Sequence, residues 1–234
     1  MDAFLNNKSC LLAQEQWKRV MHSAICSDES FTEQQDLVLD LWGHLVDGAG
    51  MFKEVTELIV LPTPPPQSAI DHQIAKILKD QDNLLCWAND AQSRLGALGG
   101  GLQICEEGTS LVWPTFQSDT CSSQYTTQLA LWGTYALCRL LKARLLVALS
   151  PSRFYSLETK CQGLAARIMT LRQTLTEDEG ERLLNHLLFS QSIWIAEGIV
   201  QTKKTWCVIQ DSGNATIEKW KFEAWCTAIG RTPN

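Results

Sequence analysis

A chain of 234 residues, 45% hydrophobic and 20% charged, has the composition of a globular protein and enough length to bury a substantial core. A net charge of −6 with dispersed lysines and arginines argues against a broad phosphate-binding face, which needs concentrated basic charge. The opening residues lack a basic segment followed by an apolar signal core, and every long apolar run is broken by charge, so the expectation is a cytoplasmic protein with no membrane partner.

The first predicted element is a short helix within residues 11–26, with Leu12, Trp17, Val20, Met21 and Ile25 on its apolar side. Ser30-Phe31-Thr32-Glu33 supplies a capping signature, a hydroxyl followed by an acid in the first turn. The helix it starts carries Leu37, Leu41 and Leu45, and Gly48-Ala49-Gly50 is expected to break it before a second short helix over Met51–Val60. The prolines of the 61–66 segment lack amide donors and predict a stiff connector.

Residues 67–98 predict a long amphipathic helix. Its apolar stripe is Ile70, Ile74, Ile77, Leu78, Leu84, Leu85, Ala88, Ala91 and Leu95, with Asp71, Lys76, Lys79, Asp80 and Asp82 assigned to the opposite face. Gly99-Gly100-Gly101 ends it, and the 99–120 segment reads as irregular; Leu111-Val112-Trp113 is too short to make a sheet. Ser122–Leu149 follows, an apolar helix of roughly 40 Å interrupted only by Arg139, Lys142 and Arg144. Pro151 closes it. A further helix carries Leu157, Cys161, Leu164, Ala165, Ile168, Leu171 and Leu175, and Thr176-Glu177-Asp178-Glu179 caps the next. Asp211-Ser212-Gly213-Asn214 is a turn before a last helix with Trp220 and Trp225. The expected fold is all-α: one domain over residues 1–234, about eight helices, organised around the long central helix.

Nine cysteines, no two within fifteen residues of each other, fit free buried thiols and no zinc finger. His22, His44, His72 and His186 are scattered and form no metal-binding spacing, so no metal is expected. No sequence signature for a cofactor or a nucleophile elbow is present, and the carboxylate pairs fall near helix starts, where the helix dipole explains them.

Two constellations remain. Trp132, Tyr135 and Arg139 share one face of the long apolar helix, and His186, Ser190 and Glu197 share a face of a later one beside Trp194. Aromatic bulk with a few polar groups is the composition of a cavity between helices that takes an apolar or aromatic small molecule. In that reading Arg139, Tyr135 and His186 polarise a carbonyl, while Trp132, Trp194, Glu197, Ser190 and Trp87 hold the ligand. The alternative pairs Arg139 with a carboxylate such as Glu197 and leaves the tryptophans as ordinary core.

The order of features resembles the C-terminal regulatory region of fungal zinc-binuclear-cluster (Zn2Cys6) transcription factors. The residues that carry the resemblance are Phe4-Leu5, Gln16-Trp17, the Asp36–Leu41 segment, Leu84-Leu85-Cys86-Trp87, the Leu131–Leu141 segment LWGTYALCRLL, Leu157-Glu158 and Trp225. The six-cysteine cluster and basic segment by which that family contacts DNA are not in this sequence, so direct DNA binding is not among the expectations. Two functions follow. One is a stand-alone small-molecule-binding protein of fungal specialised metabolism, such as a cofactor-free cyclase or hetero-Diels–Alderase. The other is a regulatory or interaction protein without its own DNA-binding domain, nuclear in that case.

Overall fold

The computed structural model describes residues 14–26, 33–60, 63–96, 103–104, 111–112, 123–174 and 196–197. Five helices account for nearly all of them: α1 Glu15–Cys26, α2 Glu33–Val60, α3 Gln67–Gly96, α4 Ser123–Leu149 and α5 Pro151–Thr174. No helix among the described residues is long and apolar enough to cross a membrane. The expected helices over 176–204 and near the C-terminus, the Ser30 cap, the glycine triplet at 99–101 and the turn at 211–214 lie outside the described residues.

Two expectations need correction. Gly48-Ala49-Gly50 does not break the chain, since α2 runs unbroken for 28 residues. Tertiary burial outweighs the weak helix propensity of the glycines. Ala49, Met51, Phe52 and Val55 are all buried, so the turns flanking the glycines are held against their neighbours. The second correction is small: β1 Gln103–Ile104 and β2 Leu111–Val112 pair antiparallel, Gln103 opposite Val112 and Ile104 opposite Leu111.

Local chemistry explains the other boundaries. Exposed Pro64 and Pro66 lead into α3, and the Pro66 carbonyl accepts the amides of Ala69 (2.9 Å) and Ile70 (3.4 Å). Between α4 and α5 the chain turns at Ser150, whose amide bonds Leu146 O at 3.0 Å while its carbonyl accepts from Phe154 N at 3.1 Å. Pro151 then occupies the first helical position, where a missing amide proton costs nothing. Phe154 departs from helical geometry (φ −114°, ψ 21°), which puts a kink in the first turn of α5.

The core falls into two apolar clusters. The first joins Leu37, Leu41 and Leu45 of α2 with Leu84, Trp87, Ala88 and Ala91 of α3, residues 131–141 of α4, and Cys161, Ala165 and Ile168 of α5. The second joins Met51, Phe52 and Val55 with Ile74, Ile77 and Leu145–Ala148, flanked by Phe154 and Leu157. These assignments require α2, α3, α4 and α5 to run alternately up and down, and α4 packs against each of the other three. By contrast, α1 leaves Trp17 and Val20 of its apolar side exposed at 37% and 53%.

A methyl group built on Gly50 would meet no atom within 4 Å. Gly50→Ala is therefore expected to stabilise the protein by about 0.5–1 kcal/mol in urea unfolding. A neutral or destabilised variant would contradict an unbroken α2.

Candidate functional site

The sequence-predicted residues Trp87, Trp132, Tyr135 and Arg139 meet in the first cluster. Trp132 and Tyr135 lie three residues apart on α4, and α3 brings Trp87 against both. Ring centroids are 5.8 Å apart for Trp87–Trp132, in an edge contact, and 5.7 Å for Trp87–Tyr135, which are stacked. Trp132–Tyr135 is again an edge contact at 5.7 Å. Such pairs contribute about 0.5–1.5 kcal/mol each beyond their buried area.

Two of the three rings have polar contacts inside the protein. Trp87 Nε1 donates to the Leu37 carbonyl at 3.2 Å, tying α3 to α2. Tyr135 Oη accepts from Arg139 Nη1 at 3.1 Å, and the guanidinium carbon stands 5.9 Å from the Tyr135 ring centroid. Tyr135 is fully buried and Trp132 nearly so, whereas Arg139 is half-buried one turn along. Ala196 is buried in the same cluster, which seats exposed Glu197 at this end of the bundle. His186, Ser190 and Trp194 lie outside the described residues.

The fully buried cations of α4 are Lys142 and Arg144, each 2–3% exposed, and not the expected Arg139, which is half-buried. Lys142 Nζ lies 2.8 Å from Asp80 Oδ2, and His44 Nδ1 lies 3.1 Å from Asp80 Oδ1. One carboxylate thus joins α2, α3 and α4. Arg144 reaches the other way, to Glu158 of α5, which also accepts from Gln162 Nε2 at 3.3 Å. A third, more exposed link joins α3 to α2, from Arg94 to Asp36 at 3.3 Å.

Asp80 is a correction to the assignment of the solvent face. It follows Ile77 by three residues and precedes Leu84 by four, so the helical period itself places it on the stripe with those fully buried neighbours. The same spacing could have revealed it in the sequence, as an acid where an apolar residue is expected. Burial works to raise its pKa, but the His44 hydrogen bond and the Lys142 charge outweigh burial and hold the carboxyl below its usual 3.8. A carboxyl lowered in the folded state binds fewer protons than in the unfolded chain. Its stabilisation is therefore complete above the ordinary carboxylate range and is lost as pH falls through the folded value.

Chemically, the described interior is quiet. Burial pushes the Cys138 thiol up to about 11 and the Cys161 thiol up to about 12, so neither is a nucleophile at neutral pH. Cys86, Cys138 and Cys161 are free thiols. Among the described residues no group of three His, Cys, Asp or Glu side chains is arranged to hold a metal ion. An open groove between α2 and α3 is lined by Glu54, Glu57, Leu58, Ser68, His72 and Gln73, with Lys76 paired to Glu54 nearby. No protein-family model, curated protein or solved structure matches the chain.

Removing one partner of a buried ion pair leaves the other uncompensated, whereas replacing both with apolar groups is far better tolerated. Lys142→Met is expected to cost about 3–5 kcal/mol in urea unfolding, and adding Asp80→Leu to recover most of that loss. A double variant no more stable than Lys142→Met would show that the two side chains do not act on each other.

Proposed function

We propose that this chain is a helical regulatory or interaction module that works through contacts with another protein and not by touching DNA. The observation that carries this reading is the closed Trp87–Trp132–Tyr135 cluster. Its rings contact one another between α3 and α4, Trp87 Nε1 donates to Leu37 O, and Tyr135 Oη accepts from Arg139. An interior of this kind supports a scaffold better than a pocket. The charge distribution points the same way, because Lys142 and Arg144 are turned inward onto Asp80 and Glu158 and are lost as phosphate contacts. The resemblance to the regulatory region of zinc-binuclear-cluster factors adds support, and in this reading the whole chain is one domain of about eight helices around α4, acting in the nucleus.

A second reading rests on Arg139. It is half-buried at the rim of the aromatic cluster, and Ala196-Glu197 is seated on the same cluster. An apolar or aromatic molecule bound there would present a carbonyl to the guanidinium, with His186, Ser190 and Trp194 as further walls. That is the arrangement of a cytoplasmic, cofactor-free cyclase or hetero-Diels–Alderase.

The two readings separate in one set of measurements on the purified chain. Mixed with purified full-length zinc-binuclear-cluster regulators from the same genome, it is expected to co-elute with at least one in size-exclusion chromatography. It is also expected not to accelerate the cyclisation of polyene or flat aromatic substrates. Turnover that falls with Arg139→Met, with no regulator bound, would replace the first reading with the second.

A further inference from the structure

The outer face of α5 carries charge of one sign. Arg153, Lys160 and Arg167 are exposed and follow one another at seven-residue spacing. A straight α-helix drifts only about 20° over seven residues, so the three stand in one row, about 10 Å apart along the axis. The row faces away from the core, because Cys161, Ala165 and Ile168 occupy the other side of the helix, buried in the first apolar cluster. Glu158 is the one carboxylate in α5, and it is turned inward onto Arg144.

Surface cations on the other helices have acids supplied within the protein: Arg19 has Glu15, Lys53 has Glu57, Lys76 has Glu54, and Arg94 has Asp36 and Asp90. Among the described residues no carboxylate pairs with Arg153 or Lys160. Arg153 lies instead over the Phe154 ring, 5.1 Å from its centroid. Beside the cations runs a second exposed row at the same spacing, Ser156, Gly163 and Thr170. Its side chains are short, and a methyl group built on Gly163 would meet no atom within 4 Å. Another chain can therefore come close to the α5 backbone while the longer cations reach around it.

We propose that this face of α5 is a docking surface for an acidic α-helix of another protein, one that carries carboxylates every seven residues. The inference rests on the reading of the chain as an interaction module, and gives that module its surface and the chemistry of its partner. A helix laid along α5 sets its carboxylates against the row of cations and its backbone against the short row, as paired helices with a seven-residue repeat do. Other anionic partners fit less well. Proteins that lie on a bilayer bury large apolar side chains in it, and the exposed residues described on α5 include none. Nucleic acid is bound by concentrated basic charge, whereas these three cations are spread over about 20 Å of a chain whose net charge is −6.

The probe is a stapled helical peptide with glutamate at every seventh position and alanine or glutamine elsewhere, titrated against the intact chain by fluorescence anisotropy. Saturable binding is expected, weakened by salt and reduced at least about tenfold by Arg153→Glu with Lys160→Glu. Gly163→Trp, which projects into open space, is expected to weaken binding while the circular dichroism and melting temperature stay unchanged. No binding of the peptide, or equal binding by the folded variants, overturns the proposal. So does tighter binding of duplex DNA or phosphatidylserine vesicles than of the peptide. Self-association of the chain that the double variant abolishes would put a second copy on this face and overturn it too. Co-elution with a zinc-binuclear-cluster regulator keeps the two claims apart. A regulator retained in full by the double variant overturns this surface and leaves the interaction reading standing. Peptide binding as expected, with no regulator bound, supports the surface and counts against the regulator.

Discussion

Lys142 carries a full positive charge into the interior of a helical bundle, and an ammonium taken out of water costs several kcal/mol unless something meets it. Asp80 meets it from α3, and His44 of α2 holds the other oxygen of the same carboxylate. These three side chains sit at the level where one apolar cluster gives way to the other, between Ile77 and Leu84 on α3 and between Leu141 and Leu145 on α4. Sliding any of the three helices by one turn would strand a buried charge. An apolar layer in the same place would tolerate the slide. The ionic layer therefore specifies the register of α2, α3 and α4, even where it adds little to net stability.

The rest of the described fold follows from that alignment. With α3 in register against α4, Trp87 is brought onto Trp132 and Tyr135, and its indole N–H reaches the Leu37 carbonyl of α2. On the far side of α4 the Arg144–Glu158 pair does for α5 what Lys142–Asp80 does for α3. The result is an interior whose charges are paired across helices and whose thiols are protonated. Such an interior suits a rigid module that presents its surface. The exposed Trp17 and Val20 of α1 show that not every apolar group of the described chain is spent inside.

Much of this architecture is legible in the sequence, for reasons that can be traced residue by residue. The period of the apolar residues marks α3 and the unbroken apolar run marks α4, both almost to their ends. Pro66 and Pro151 mark helix starts because proline chemistry is local. The glycines at 48 and 50 misled because propensity is a weak force that the burial of Met51, Phe52 and Val55 overrides. Trp87, Trp132, Tyr135 and Arg139 were singled out from spacing and bulk, and the fold does bring them together. Spacing cannot tell whether aromatic rings line a void or pack on one another; Trp87, Trp132 and Tyr135 do contact one another in pairs. Reading charge as a sign of solvent puts Asp80 on the outer face, although its position in the helical period places it on the stripe of Ile77 and Leu84. The pairing of Asp80 with Lys142 crosses two helices 62 positions apart, a relation no local pattern carries.

The claim that a paired charge layer organises the bundle is tested most directly by the carboxyl of Asp80. Its titration, followed by carbon NMR of the intact protein, is predicted to fall below 3.8, the ordinary value of the group. The Lys142→Met variant, if it folds, should titrate higher. A wild-type value at or above 3.8 would mean that burial wins over pairing, and would contradict an ionic layer at the centre of the fold.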